Sequence, residues 1–400
     1  MRFNAISTRI TTFILALLVP AVCFAYDPEA ANDSTHKDST HSSTAPDAHH
    51  AESTAFNPGE MIVEHISDAH EWHLWGHTHM PLPVILKTDK GWEFFSSGNF
   101  RSGEHHELGA YQGTHYAYKL NEKGKIVIWD TLADKENQNA TPLLTDLSIT
   151  KNVATLFIVM ALMLWIFLSI AKAYKRNPGT APKGMQSFME PLIMFIRDDV
   201  AKSSIGPKYE KYMPYLLTVF FFILFSNLLG LIPIFPGGAN FTGNITIALS
   251  LAAFTFIITL ISANGHYWRH VFAMPGVPIG VLFILTPIEI LGVVLKPFVL
   301  MIRLFANITA GHIIALAFFC MIFIFSKDPV TGAENPGAGF GVGIFSWLFV
   351  VFMTFLELLV AFLQAYVFTL LSAIYFGSAV EESHHVNEDF DGLPNTQHAH

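Results

Sequence analysis

The sequence predicts an all-α polytopic membrane protein with five mature transmembrane helices, two of them a long, tilted antiparallel pair, behind a small β-rich exported domain. Three observations lead there. Hydrophobic residues make up 52% of the chain and charged residues only 14%. Three windows, Val153 to Ala171, Met213 to Phe235 and Ile245 to Ala263, carry no charge over the length a bilayer requires, and two longer apolar runs follow, Pro278 to Ser326 and Gly343 to Val380. Ahead of them, short apolar and aromatic runs alternate with turn residues, as strands do.

Arg2 and Arg9 precede the apolar stretch Ile10 to Val22, and Cys23-Phe-Ala25 offers small residues for cleavage. Residues 1–25 therefore read as a secretory leader, too short in its apolar core for a span. After removal Cys320 is the only cysteine, which leaves no intramolecular disulfide. Residues 26–60 are rich in Ser, Thr, Ala and His and nearly devoid of large apolar residues, the composition of a disordered tether.

Residues 61–149 change character. Val84-Ile-Leu86, Trp92-Glu-Phe-Phe95, Tyr116-Ala-Tyr118 and Ile126-Val-Ile-Trp129 are separated by Gly, Asn and Asp, and Lys123-Gly124 marks a hairpin turn. A small, β-rich exported domain is expected. His65, His70, His73, His77 and His79 crowd its start. Imidazole ligates zinc, but no cysteine accompanies these residues and their spacing matches neither a helical His-Glu-x-x-His motif nor a zinc finger. A histidine-rich surface is the preferred reading, and no metal or other cofactor is expected.

Basic residues set the topology. Lys172, Lys175, Arg176, Lys183, Arg197, Lys202, Lys208 and Lys211 lie between the first two mature spans, which places that segment in the cytoplasm. Within it, Gln186 to Val200 alternates at helical spacing and predicts a helix lying on the inner surface. The second span then runs outward, Phe235 to Asn244 turns outside, and the third span returns. Arg269 is cytoplasmic, and so is the tail, residues 383–400. The membrane domain covers 150–382.

Pro278 to Ser326 is too long for one upright span, since a straight helix of that length reaches roughly 70 Å. Two short helices turning at Lys296-Pro297 are one solution. No Gly, Asn or Asp cluster lies between Leu295 and Ala306, so a single tilted helix is preferred. Arg303 stands in its middle. A guanidinium stays protonated, and its place in lipid costs between about 3 and about 15 kcal/mol. If the last span runs antiparallel with Gln364 opposite Arg303, then Glu357 falls near His312, outward of the arginine, while Glu289 lies about 21 Å to the inner side. His and Glu exchange protons near neutrality when tuned; arginine does not. The pattern describes two separated proton paths with a fixed cation between them.

Here a resemblance becomes specific. Pro287-Ile-Glu289, Arg303-Leu-Phe-Ala-Asn307-x-x-Ala-Gly311, Leu363-Gln364-Ala365-Tyr-Val-Phe, Ala379-Val-Glu381-Glu382 and Ser226-Asn227-Leu-Leu-Gly230-Leu-Ile-Pro233 resemble subunit a of bacterial F-type rotary ATP synthases over roughly residues 150–382. The resemblance implies a non-catalytic, proton-conducting stator subunit of the inner (plasma) membrane, multi-pass, with residues 26–149 periplasmic or extracellular. It implies the c-ring, peripheral-stalk b subunits and the bilayer as partners, and no nucleic acid. Arg303 would separate two half-channels, supported by Asn307 and Gln364. His312 and Glu357 would serve the outer half-channel, Glu289 the inner one, and Asn227 the outer access path. Many bacterial members have an acid where this chain has His312 and a histidine where it has Glu357, so the two types are exchanged here. The domain at 61–149 is absent from the compact family pattern.

Other function classes fit less well. No Gly-rich Lys-Ser/Thr phosphate loop is present. A self-contained proton-coupled secondary transporter would show inverted repeats and interrupted spans, and neither is seen. An intramembrane metalloenzyme lacks a clustered ligand set in the spans.

Overall fold

The computed structural model describes residues 59, 67–75, 78–102, 107–121, 124–137, 140–176, 178–179, 181–232, 237–238, 241–274, 277–325 and 336–381. The expected leader, the tether apart from Gly59, and the 383–400 tail lie outside the described residues.

The chain opens in strands. Hairpin β1 (Glu71–Trp75) and β2 (Thr78–Pro81) is followed by β3 (Pro83–Thr88) and β4 (Gly91–Ser96), then β5 (Arg101–Ser102), β6 (Glu107–Leu108), β7 (Tyr111–Gln112), β8 (Ala117–Leu120), β9 (Ile126–Asp130), β10 (Lys135–Glu136) and β11 (Thr145–Asp146). Every pairing is antiparallel, giving sheets ordered β11-β3-β4 and β10-β9-β8-β7 beside two hairpins. The alternation read in Val84-Ile-Leu86 and Ile126-Val-Ile128 explains the core, because period two sends one face inward. Val84, Leu86, Phe100, Tyr118, Ile126 and Ile128 form one buried cluster. Gly124 closes the β8–β9 hairpin at φ 72°, where a side chain would be strained. Glu93 is buried, yet it accepts hydrogen bonds from the Thr114 and His115 amides and the Tyr118 hydroxyl. Burial and the Glu93 carboxylate push the Tyr118 phenol well above its usual value.

Seven helices of eight or more residues follow among the described residues: α1 (Lys151–Arg176), α2 (Met185–Phe195), α3 (Tyr209–Leu231), α4 (Ile245–Ser262), α5 (Gly265–Phe272), α6 (Ile279–Phe325) and α7 (Pro336–Val380). Five helical stretches are long and apolar enough to cross a membrane: α1, the continuous stretch from α2 through α3, α4, α6 and α7. The surface helix expected at Gln186–Val200 becomes α2 and a π-helical segment, Ile196–Lys202, whose Ile196, Val200 and Ala201 are buried in the helical core. α3 is apolar on all sides and is the most enclosed span, as a helix at the centre of a bundle must be. Phe221 meets Phe167 of α1 edge-on, Phe220 meets Phe362 of α7, and Tyr212 stacks on Phe376.

Contacts distinguish the two ends of this bundle. At one end the β region meets the start of α1 and the connection after α3. The Ala69 carbonyl accepts from the Lys151 amide, Asp68 Oδ1 accepts from the Asn152 amide, and the Trp72 indole donates to the Gly237 carbonyl. At the other end Asn264, after α4, hydrogen bonds to the Ala379 and Val380 carbonyls that close α7. Bonds across the bundle thus agree with helices that alternate in direction.

His70 Nε2 lies 2.9 Å from Asp146 Oδ2 and ties the chain before β1 to β11. Burial pushes the Asp146 carboxyl up, but hydrogen bonds from His70 and Ser148 outweigh it and hold it below the usual carboxylate value. A carboxylate depressed in the folded state contributes stability above its unfolded pKa, near 3.9, and loses it as pH falls through the lower folded value. The β region is therefore expected to become sensitive to limited proteolysis below about pH 4. Asp146→Asn should flatten that dependence and raise proteolysis at pH 7, for a loss of about 1 kcal/mol. Among the described residues no three His, Cys, Asp or Glu side chains converge as a metal-binding group. His65 and the His73 and His77 side chains lie outside the description, while the His73 and His79 backbones pair across β1 and β2.

Candidate functional site

The site is built on α6 and α7. α6 runs unbroken through Pro287 and Pro297, so the long-helix solution holds and Arg303 sits well inside it. The side chain is half-buried and within electrostatic reach of the Tyr375 phenol. Arg303 makes no hydrogen bond or ion pair with any described residue. Exposed Phe298, Val299 and Ile302 flank it on α6, with exposed Leu359 and Leu363 on α7. A permanent cation is thus presented on an apolar surface without an anionic partner among the described residues.

Three pairings fix the register of α6 and α7. Phe318 stacks on Phe349 with centroids 3.7 Å apart, Glu357 packs against Gly311, and Asn307 Nδ2 donates to Gln364 Oε1 at 3.0 Å. Positions rise on one helix as they fall on the other, so the pair is antiparallel. The sequence register had set Gln364 opposite Arg303. Gly311 beside Glu357 and Phe318 on Phe349 keep that register to within a residue, while the Gln364 side chain reaches Asn307, one turn further toward the β-region end. Gln364 is 3% exposed and its Nε2 is buried without an acceptor among the described residues. Such an orphaned donor one turn from Arg303 is a strained arrangement of the kind functional sites retain.

Toward the β-region end lies a cavity of about 300 Å³, open mouth included, lined by Ser226, Asn227, Thr242, Ile308, His312 and Glu357 among others. It brings together three candidates from the sequence, Asn227, His312 and Glu357. Asn227 is 4% exposed and is held from both sides: Thr242 Oγ1 donates to its Oδ1 at 2.6 Å, and its Nδ2 donates to the Ala361 carbonyl at 3.3 Å. Ser226 Oγ and Glu357 Oε1 are buried without hydrogen-bond partners among the described residues. The space left inside for water is about 20 Å³, enough for about one molecule beside these buried polar atoms. Glycine at 311 makes this possible, since a Cβ there would lie 2.9 Å from Glu357 Oε1. Gly311→Ala should push the Glu357 carboxylate out of the cavity, with a normal amount of folded protein.

A second cavity, about 230 Å³, lies toward the other end and is lined by Thr255, Thr259, Tyr267, Lys296 and Tyr375 with apolar neighbours. Lys296 Nζ sits 5.7 Å from the Tyr267 ring and 5.3 Å from the Tyr375 ring, a cation over two aromatic faces. Glu289 lies two turns before Lys296, half-buried and within electrostatic reach of both Lys296 and Tyr267, although it does not line the cavity. Along α6, Arg303 is about 10.5 Å from Lys296 and about 13.5 Å from His312.

Sequence reasoning missed Ser226 and Thr242 in the first cavity, and Lys296, Tyr267 and Tyr375 in the second. Lys296 carried a signal, a charge inside an apolar run, but was read only as a possible turn. Thr242 and Tyr267 lie in connections or short helices whose placement no periodicity reports.

A family model described as ATP synthase A chain matches residues 153–377. A second, described as Domain of unknown function (DUF8433), matches residues 61–147. The chain is 46% identical over 250 residues to ATP synthase subunit a of Chlorobium phaeobacteroides (strain DSM 266 / SMG 266 / 2430), covering 61% of this chain and 68% of that one. It is 42% identical over 255 residues to ATP synthase subunit a of Chloroherpeton thalassium (strain ATCC 35110 / GB-78), 62% and 72% of the two chains. Similarity extends to ATP synthase subunit a of Anaeromyxobacter sp. (strain Fw109-5), 35% identical over 297 residues, 71% and 66% of the two.

Proposed function

Because this chain belongs to the ATP synthase A chain family, whose model spans more than half of it, we propose that it is the stator subunit that conducts protons to and from the rotor of the membrane sector. The observation that carries the reading is Arg303 on α6: a guanidinium without an anionic partner among the described residues, between a cavity holding His312 and Glu357 on the β-region side and one holding Lys296, Tyr267 and Tyr375 on the far side. The cavities are the two half-channels. Protons reach the rotor through the outer one, by Asn227, His312 and Glu357, and leave through the inner one, past Glu289.

Arginine cannot relay a proton, so it blocks a direct leak between the cavities. The proton instead passes on a carboxylate of the moving c-ring, which the exposed apolar surface around Arg303 receives. Asn307 and Gln364 hold the α6–α7 register that aims the guanidinium. The driving force is about 2.3 kcal/mol per elementary charge per 100 mV. ATP chemistry resides on other subunits, and peripheral-stalk b subunits hold the chain against rotation. The protein lies in the cell inner membrane with 26–149 in the periplasm and the C-terminus in the cytoplasm. Residues 61–149 form a domain of their own, 1–25 a leader and 26–60 a tether. ATP-driven pumping by the assembled complex carrying Arg303→Ala tests the reading; retained coupled pumping overturns it.

A further inference from the structure

Nothing in the family reading gives the β region a task. A deep attachment to the helical bundle away from α1 is Trp72, which is 3% exposed and whose Nε1–H donates to the Gly237 carbonyl at 3.1 Å. Gly237 is wedged against the carbonyls that end α3: a Cβ there would lie 2.5 Å from the Leu229 oxygen and 2.2 Å from the Ile232 oxygen. Its position is therefore rigidly coupled to α3, whose last turns carry Ser226 and Asn227.

The described residues that follow Gly237 and Gly238 extend the coupling into the outer cavity. Phe241 is buried against Phe222 of α3 with ring centroids 5.7 Å apart. Thr242 holds Asn227 on the cavity wall. The Gly243 carbonyl accepts from Thr309 Oγ1 on α6 at 3.3 Å, and Asn244 caps α4 through the Thr246 amide at 2.9 Å. One short connection thus touches α3, α4 and α6, and the β region grips it from outside. That grip is anchored in turn, because Asp68 Oδ1 binds the Asn152 amide at the start of α1, four residues before Trp72.

We infer that Trp72 is a positioning residue for outer proton access: through Gly237 the β region fixes the Thr242–Asn227 pair against the cavity that holds His312 and Glu357. This rests on the proton-conducting reading proposed above. Lateral freedom of the α3–α4 connection would let Thr242 leave Asn227 and change how the cavity opens outward. Seating a separate domain on the connection removes that freedom without adding a side chain to the proton path itself.

The test is ATP-driven acidification of vesicles bearing the assembled complex, expressed per complex and measured over a range of pH on the periplasmic face. Trp72→Phe keeps an aromatic ring but removes the donor and trims the bicycle to one ring, so assembly is expected to persist while the per-complex rate falls about five-fold and its dependence on periplasmic pH shifts. Trp72→Ala should fall further. Trp129→Phe, in the same region but with its indole donating to Asp134 and its ring under Lys119, away from Gly237, is expected to match the parent. In the unaltered complex the amides of Phe241 to Asn244 should exchange as slowly as helix ends; exchange at loop rates overturns the inference whatever the variants do. Equally, fewer complexes with an unchanged rate and pH profile reduce Trp72 to a structural contact and overturn it. Arg303→Ala is run beside these variants. Retained pumping there sinks the underlying reading, whereas lost pumping there with unaltered Trp72 variants sinks this inference alone.

Discussion

Arg303→Ala is expected to abolish coupled proton pumping while the complex still assembles. The guanidinium stands at a place where even the lowest cost of a charge in lipid is about 3 kcal/mol, which corresponds to a change of about two decades in a rate or population. On the function proposed above, removing it lowers the barrier between the two cavities by at least that amount and also removes the cation proposed to meet the rotor carboxylate. ATP-driven acidification should fall by about 100-fold or more against an unaltered rate of protein accumulation. Arg303→Lys is expected to be severely impaired too, because an ammonium is a compact point charge without the planar fork of the guanidinium. Normal pumping by the lysine variant would show that charge alone suffices there.

The second large effect concerns the outer cavity. His312→Ala and Glu357→Ala are each expected to cut conduction by about 100-fold, the range of one general acid–base group. Exchange of the two types separates a shared pocket from independent sites. His312→Glu alone sets two carboxylates side by side, which repel and disfavour the ionised form. Glu357→His alone leaves two imidazoles and no acid. The double exchange restores one of each and should conduct better than either single variant. The packing of Glu357 against Gly311, next in sequence to His312, is the geometric ground for this expectation. If Glu357→His conducts normally by itself, the two residues do not act as a unit.

Much of this molecule was legible before any coordinates. Pro278 to Ser326 was read as one long helix from the lack of a turn cluster, and α6 occupies Ile279–Phe325. The strand runs at Val84, Trp92, Tyr116 and Ile126 fall in or beside β3, β4, β8 and β9. The grouping of Glu357 with His312 followed from counting residues along two antiparallel helices, and both line one cavity. The register that this counting gives is kept where Glu357 packs on Gly311 and Phe318 stacks on Phe349, but the long Gln364 side chain reaches one turn along α6 to Asn307, a contact that counting does not report.

The sequence by itself therefore determined the number of spans, the long pair and the placing of Arg303 within it. These follow from bilayer thickness, rise per residue and the cost of charge in lipid, which are local properties of a run of residues. Tertiary structure decided the rest. Asn307 meets Gln364 across 57 positions, Asn227 is clasped by Thr242 and the Ala361 carbonyl, Lys296 lies between two tyrosine rings, and Trp72 reaches Gly237 across 165 positions. Such contacts depend on the azimuth, slide and seating of whole elements against one another, and no periodicity along a single chain records them.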